Sequence, residues 1–122
     1  MNSLGTKSVV VLARGDLSSD DAALAVRVAL ALPLAGLAVR LLLVDAASAL
    51  GLSALPDLGP WSSGLVREMD ALLTDEEVPV LVEQESLAQL GLAGQALRPG
   101  VATVPRSQVA AICAAADSCL VL

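Results

Sequence analysis

The sequence predicts an α/β protein: a single three-layer α/β/α domain with a five-stranded, mainly parallel sheet. Three observations predict it. Short runs rich in Val and Leu recur along the chain, too uniformly apolar for strands with one wet face, so they read as strands covered on both sides. Ala- and Leu-rich segments carrying helix start and stop residues separate these runs. The two patterns alternate from end to end, which is the order of a parallel sheet between helix layers joined by right-handed crossovers. No linker, internal repeat or low-complexity tract interrupts them, so one domain is expected over residues 1–122.

The elements follow in order. Residues 7–14 form a β-branched first strand stopped by Gly15. Ser18, Ser19, Asp20 and Asp21 supply N-cap candidates and early acidic residues for a helix over 22–31, with Gly36 as its C-cap candidate. Residues 38–44 form a second buried strand closed by Asp45. Residues 45–61 are the least regular stretch, with room for an Ala-rich helical turn before Pro56 and Pro60 break it. Ser62 or Ser63 caps a helix over 64–74. A third strand spans 79–82, and a short helix over 86–90 ends at Gly91. Residues 97–100 make a turn, and a fourth strand over 101–104 ends at Pro105. Ser107 caps a helix over 108–116, and 118–122 form the fifth strand.

Composition excludes several function classes. The chain is 56% hydrophobic and 16% charged, with one Trp and no His. Without His it has no His-based triad, His-ligated metal or His proton shuttle. One aromatic residue and a net charge of -6 argue against nucleic acid as a partner. The most membrane-like stretch, residues 22–44, is interrupted by Arg27, Pro33, Gly36 and Arg40, so no membrane span is expected. No signal peptide is recognisable, so a cytoplasmic location with free thiols at Cys113 and Cys119 is expected. There is no GxGxxG, Walker A or GxSxG motif, and the only lysine is Lys7. No cofactor and no metal site are expected.

In an open parallel sheet, ligands bind beyond the carboxyl ends of the strands. Those ends gather Arg14, Asp16, Asp45, Glu83 and Glu85 as a candidate ligand crevice, with Pro105-Arg106-Ser107 after the fourth strand. One reading makes them helix caps and solvated charges, with Arg14 paired to Glu83 and the glutamates favouring the next helix N-terminus. The other makes a polar crevice for a cation or a cationic ligand, in which Glu83 and Glu85, close together, raise the pKa of one of them and offer acid/base chemistry. Leu50, Leu52, Leu55, Leu58 and Trp61 supply more apolar surface than a loop needs. Leu55, Leu58 and Trp61 are therefore candidate interface residues. Cys113 reads as a core thiol on an apolar helix, and Cys119 as packing at a strand start.

The order of elements also carries a resemblance. Ala35-Gly36-Leu37-Ala38-Val39 leads into a Leu/Val strand. Val78-Pro79-Val80-Leu81-Val82 is followed by Ser86-Leu87-Ala88-Gln89-Leu90-Gly91-Leu92, then Pro99-Gly100-Val101 and Ala115-Ala116-Asp117. Over nearly the whole chain this resembles the DsrE/DsrF-like family of sulfur-relay proteins, which includes the TusB, TusC and TusD subunits. The resemblance implies a small α/β/α domain that assembles as trimers or hexamers. It also implies a carrier cysteine just after the third strand that passes sulfane sulfur to a partner's thiol. Glu83 occupies that position here, and a carboxylate cannot carry sulfane sulfur. The resemblance thus implies a non-catalytic or divergent member, an assembly or interaction subunit in intracellular sulfur relay. It would be a homo-oligomer or a hetero-oligomer with related subunits. Two alternatives stand beside it: a sulfurtransferase using Cys113 or Cys119, and a small binding domain with an acidic crevice for a cation or cationic ligand.

Overall fold

The structure, a computed structural model, describes residues 6–15, 20–54, 60–74 and 78–122, and of residues 60–63 the backbone alone. Five strands, β1 (Ser8–Ala13), β2 (Ala38–Leu43), β3 (Val80–Glu83), β4 (Val101–Val104) and β5 (Ser118–Val121), form one sheet in the order β4-β3-β2-β1-β5. Every pairing is parallel, with Val9 opposite Val39 and Val10 opposite Cys119. The helices α1 (Asp20–Ala31), α2 (Pro60–Thr74), α3 (Gln84–Gln89) and α4 (Arg106–Ala115) connect them.

The strand order dictates the layers. From β1 to β4 the chain steps in one direction across the sheet, so right-handed crossovers put α1, α2 and α3 on one face. The return from β4 to β5 crosses the whole sheet in the opposite direction and puts α4 on the other. Packing follows this division. Ala25 of α1, Met69 of α2 and Leu87 of α3 share one core with Val11, Leu41 and Val82. The opposite core holds Val10, Leu42, Val44 and Val104, with Val109, Ile112 and Cys113 of α4 packed against it. Alternate strand residues serve alternate faces, as a pleated strand requires. The fully apolar runs in β1 and β2 are therefore buried on both sides. This does not extend to the edges: all four residues of β5 are exposed, and so are Ala102 and Thr103 of β4. The exposed edge residues point to both faces, Leu120 and Thr103 to the three-helix side and Cys119 and Ala102 to the α4 side, so neither layer covers the outer strands.

Several boundaries differ from the sequence reading for local reasons. Helix α2 begins at Pro60, where the fixed φ of proline suits the first turn, so Ser62 and Ser63 lie inside the helix. Helix α4 begins at Arg106, and its N-cap residue Pro105 makes no side-chain cap, so Ser107 is not the cap. The Arg106 backbone N–H donates instead to Glu85 Oε1 at 2.9 Å. Gly36 ends the 3-10 turn Leu32–Ala35 with φ +82°, a left-handed conformation suited to glycine. The stretch after β2 is a 3-10 helix over Asp45–Gly51 whose residues Ala47 to Gly51 are buried. Leu50 and Leu52 therefore belong to the core and do not supply interface surface. Gly51 sits so close to the Val82 side chain that a Cβ there would collide with it. Leu55 and Leu58 lie outside the described residues, and Trp61 is placed in the first turn of α2 by its backbone alone.

Candidate functional site

The carboxyl ends of β3 and β4 flank the point where the crossovers change faces. Helix α3 leaves β3 toward the larger core, whereas α4 leaves β4 toward the opposite one. Diverging connections open a crevice at such a switch point. Glu83, the last residue of β3, pairs in register with Val104, and Arg106 follows two residues beyond.

A polar network fills this position. The Arg106 guanidinium donates from Nε and Nη2 to Glu83 Oε1, at 3.2 and 3.0 Å. Ser86 Oγ donates to the same carboxylate oxygen at 2.5 Å, the length of a charge-assisted hydroxyl–carboxylate bond. Ser86 Oγ also accepts the Asp45 backbone N–H at 2.8 Å. Arg106 Nη2 reaches Gln89 Oε1 at 3.3 Å as well. The ends of β2, β3 and β4 are thus tied through one buried carboxylate and one buried hydroxyl.

The charges are set by these contacts. Burial pushes the Glu83 carboxyl up, but hydrogen bonds from Arg106 and Ser86 and the Arg106 charge outweigh it, leaving the carboxyl below its usual value. Glu83 is therefore ionised at neutral pH and is no general acid. A raised carboxyl at Glu83, one of the sequence-based options, does not occur. Arg106 is raised in turn, first by its hydrogen bond to Glu83. Its guanidinium stands where a bound cation would have to compensate Glu83. Among the described residues no three His, Cys, Asp or Glu side chains converge on a metal position.

The remaining crevice candidates are dispersed around this pair. Arg14 does not pair with Glu83. Its Nε lies 3.4 Å from Asp45 Oδ2 in an ion pair with both side chains at least half exposed. β1 and β2 are neighbours, whereas β2 stands between β1 and β3, so Asp45 is the carboxylate nearer to Arg14. Asp45 has φ +51°, in the left-handed region that Asp tolerates better than most residues. Its carbonyl accepts the Ser48 hydroxyl at 2.8 Å. Glu85 caps the first backbone N–H of α4. Asp16 lies outside the described residues. Sequence reasoning put Arg106 at the crevice edge without assigning it a role, and did not single out Ser86 as a site residue. The signals were present: Ser86 stands three residues after Glu83, within reach across one helical turn, and Arg106 directly follows the proline that ends β4.

Two other features lie away from the crevice. A cleft of about 390 Å³ opens at the amino ends of β1 and β2, lined by Val10, Leu37, Arg40, Pro79 and Ile112 among others. The last turn of α4, with Ala115 and Ala116, forms part of its wall. The thiols are the second feature. Cys113 is half-buried and not part of a closed core, and Cys119 is exposed. Burial and the neighbouring Cys119 thiol push the Cys113 thiol up to about 11.

No family model and no curated protein sequence matches the chain. Among solved structures, the crystal structure of the ychN protein from E. coli superposes with a TM-score of 0.78 at 25% sequence identity, covering 96% of this chain and 100% of that one. The fold shared with that protein is DsrE/TusD-like. Among the described residues no helix is long and apolar enough to cross a membrane.

Proposed function

We propose that this chain is a divergent DsrE/DsrF-like protein that serves as an assembly or interaction subunit in intracellular sulfur relay and carries no sulfane sulfur at the usual position. One observation carries the reading: the carboxyl end of β3 holds Glu83, and its charge is consumed by Arg106 and Ser86. Acid–base chemistry at neutral pH requires a group that titrates near neutrality, and a held carboxylate does not. A sulfur carrier requires a thiol, and this crevice has none. The likeness to the ychN protein supports the family reading at the level of the fold.

Native mass spectrometry of the protein from its own host tests this. The expected result is a defined oligomer, trimeric or hexameric, that includes a related subunit bearing a cysteine after its third strand. A monomer at micromolar concentration, with no such subunit retained, overturns the proposal.

A further inference from the structure

Cys113 and Cys119 flank the last turn of the chain, one on α4 and one on β5. Cys113 lies on the sheet-facing side of α4, packed against the cluster that contains Val10. Cys119 is the register partner of Val10 on β5. Paired residues of parallel strands project to the same face, so Cys119 rises on the side of the sheet that α4 covers. Both thiols thus lie on the α4 side of the sheet, one helix-to-strand turn apart. The turn between them is pinned to the first residue of β1. Asp117 Oδ2 accepts the Ser8 backbone N–H at 2.7 Å and the Ser8 hydroxyl at 3.3 Å, while Ser8 Oγ accepts the Asp117 N–H at 3.0 Å. This reciprocal clamp ties the turn between the two cysteines to the start of β1. Their surroundings differ. Cys119 is exposed on an edge strand, and Cys113 is half-buried on α4.

We propose that Cys113 and Cys119 form a dithiol–disulfide exchange site whose substrate is an external disulfide of the small-thiol class, R–S–S–R. Cys119 is the entering thiol. Its thiolate attacks one sulfur of R–S–S–R, forms the mixed disulfide Cys119–S–S–R, and expels a thiolate that takes up the proton Cys119 released. Cys113 then attacks Cys119 Sγ. The Cys113–Cys119 disulfide forms, the S–S bond of the mixed disulfide breaks, and the second thiolate, R–S⁻, leaves and takes up the proton from Cys113. The two protein thiols lose two electrons together, and R–S–S–R is reduced to two R–SH. Exposure selects Cys119 for the first step, because the incoming disulfide must reach the sulfur in line. Proximity selects Cys113 for the second, since a neighbouring group on a fixed scaffold reacts at a high effective concentration. The inference is independent of the crevice and of the family reading.

Oxidised glutathione is the probe. The reduced full chain is incubated with it, quenched by alkylation and read by intact mass and peptide mapping. The wild-type chain is expected to lose two hydrogens, retain no glutathione and release two glutathione thiols per chain. Cys113→Ser and Cys113→Ala are both expected to stop at the mixed disulfide on Cys119. The pair of substitutions keeps the test valid if one disturbs α4. Cys119→Ser is expected to react at least about tenfold more slowly than wild type. A wild-type chain that retains the glutathione adduct as fully as Cys113→Ala overturns the proposal. So does a disulfide that joins two chains, or a Cys119→Ser chain that reacts as fast as wild type.

Discussion

Arg106 donates twice to a single oxygen of Glu83, so the end of β3 and the start of α4 are joined by a charge-assisted contact at the switch point of the sheet. The Glu83 side chain is 6% exposed and that of Arg106 is 47% exposed. This asymmetry decides the cost of breaking the pair. Arg106→Ala leaves a buried carboxylate without its countercharge and should destabilise the fold more than Glu83→Gln does, by less than for a fully buried pair because water reaches the arginine side. Glu83→Gln leaves a guanidinium that water can solvate and should cost about 1 kcal/mol. Urea unfolding of both variants measures the difference. Equal costs would show that the burial asymmetry has no energetic consequence.

Stability should fall on acidification, with a known sign. Glu83 has a folded-state value below its usual 4.5. Its contribution is fully present above the unfolded value and is lost as pH falls through the folded one. Asp117 is also lowered, first by the Ser8 backbone hydrogen bond, and acts in the same direction. Urea midpoints measured downward from neutral pH should decline once pH passes below about 4.5, and the decline should be shallower in Glu83→Gln.

Ser86 is the second fixed point of the network, and its hydroxyl serves two partners. Ser86→Ala should cost about 2 kcal/mol, because it removes a donor from a buried carboxylate and an acceptor from the Asp45 N–H. Ser86→Cys restores a weak donor of larger size and should not recover the loss. Thermal denaturation of the two variants reads the outcome, and a Ser86→Ala chain as stable as wild type would remove Ser86 from the network.

At Asp45 the backbone φ of +51° sets the preference. Asp45→Gly should be within about 0.5 kcal/mol of wild type, since the exposed pair with Arg14 contributes little and glycine accepts the conformation. Asp45→Val should lose about 1–2 kcal/mol, because a β-branched residue is strained there. If valine proves no worse than glycine in urea unfolding, the left-handed backbone is not required.

Gly51 tests the close approach of the 3-10 helix to β3. A Cβ at this position meets the Val82 side chain, with Val101 beside it. Gly51→Ala should therefore destabilise by about 1–3 kcal/mol through overpacking, although alanine is ordinarily the better helix former. Gly64, inside α2 with open space around its Cβ direction, is the control, and Gly64→Ala should stabilise by up to about 1 kcal/mol. The same sign at both positions would refute the packing account.

The sequence by itself determined the parallel α/β sheet. Runs such as Val9-Val10-Val11 and Leu41-Leu42-Leu43 have no wet side, and parallel strands between helices are the arrangement that gives them none. It also determined that Glu83 stands at the carboxyl end of β3 and that no histidine chemistry is available. Only the tertiary structure decided which arginine meets Glu83. Arg14 and Arg106 both follow strands, and the strand order puts β4 beside β3 and β1 two places away. It decided as well that Leu50 and Leu52 are core, because the 3-10 helix lies against β2 and β3. The approach of Cys113 to Cys119 was equally hidden. Six positions separate them along the chain, and both come to the face of the sheet that Val10 shares because α4 folds back over it. Local pattern records which side chains must leave water. Which of them then face one another depends on the order of strands across the sheet, and sequence periodicity does not encode that order.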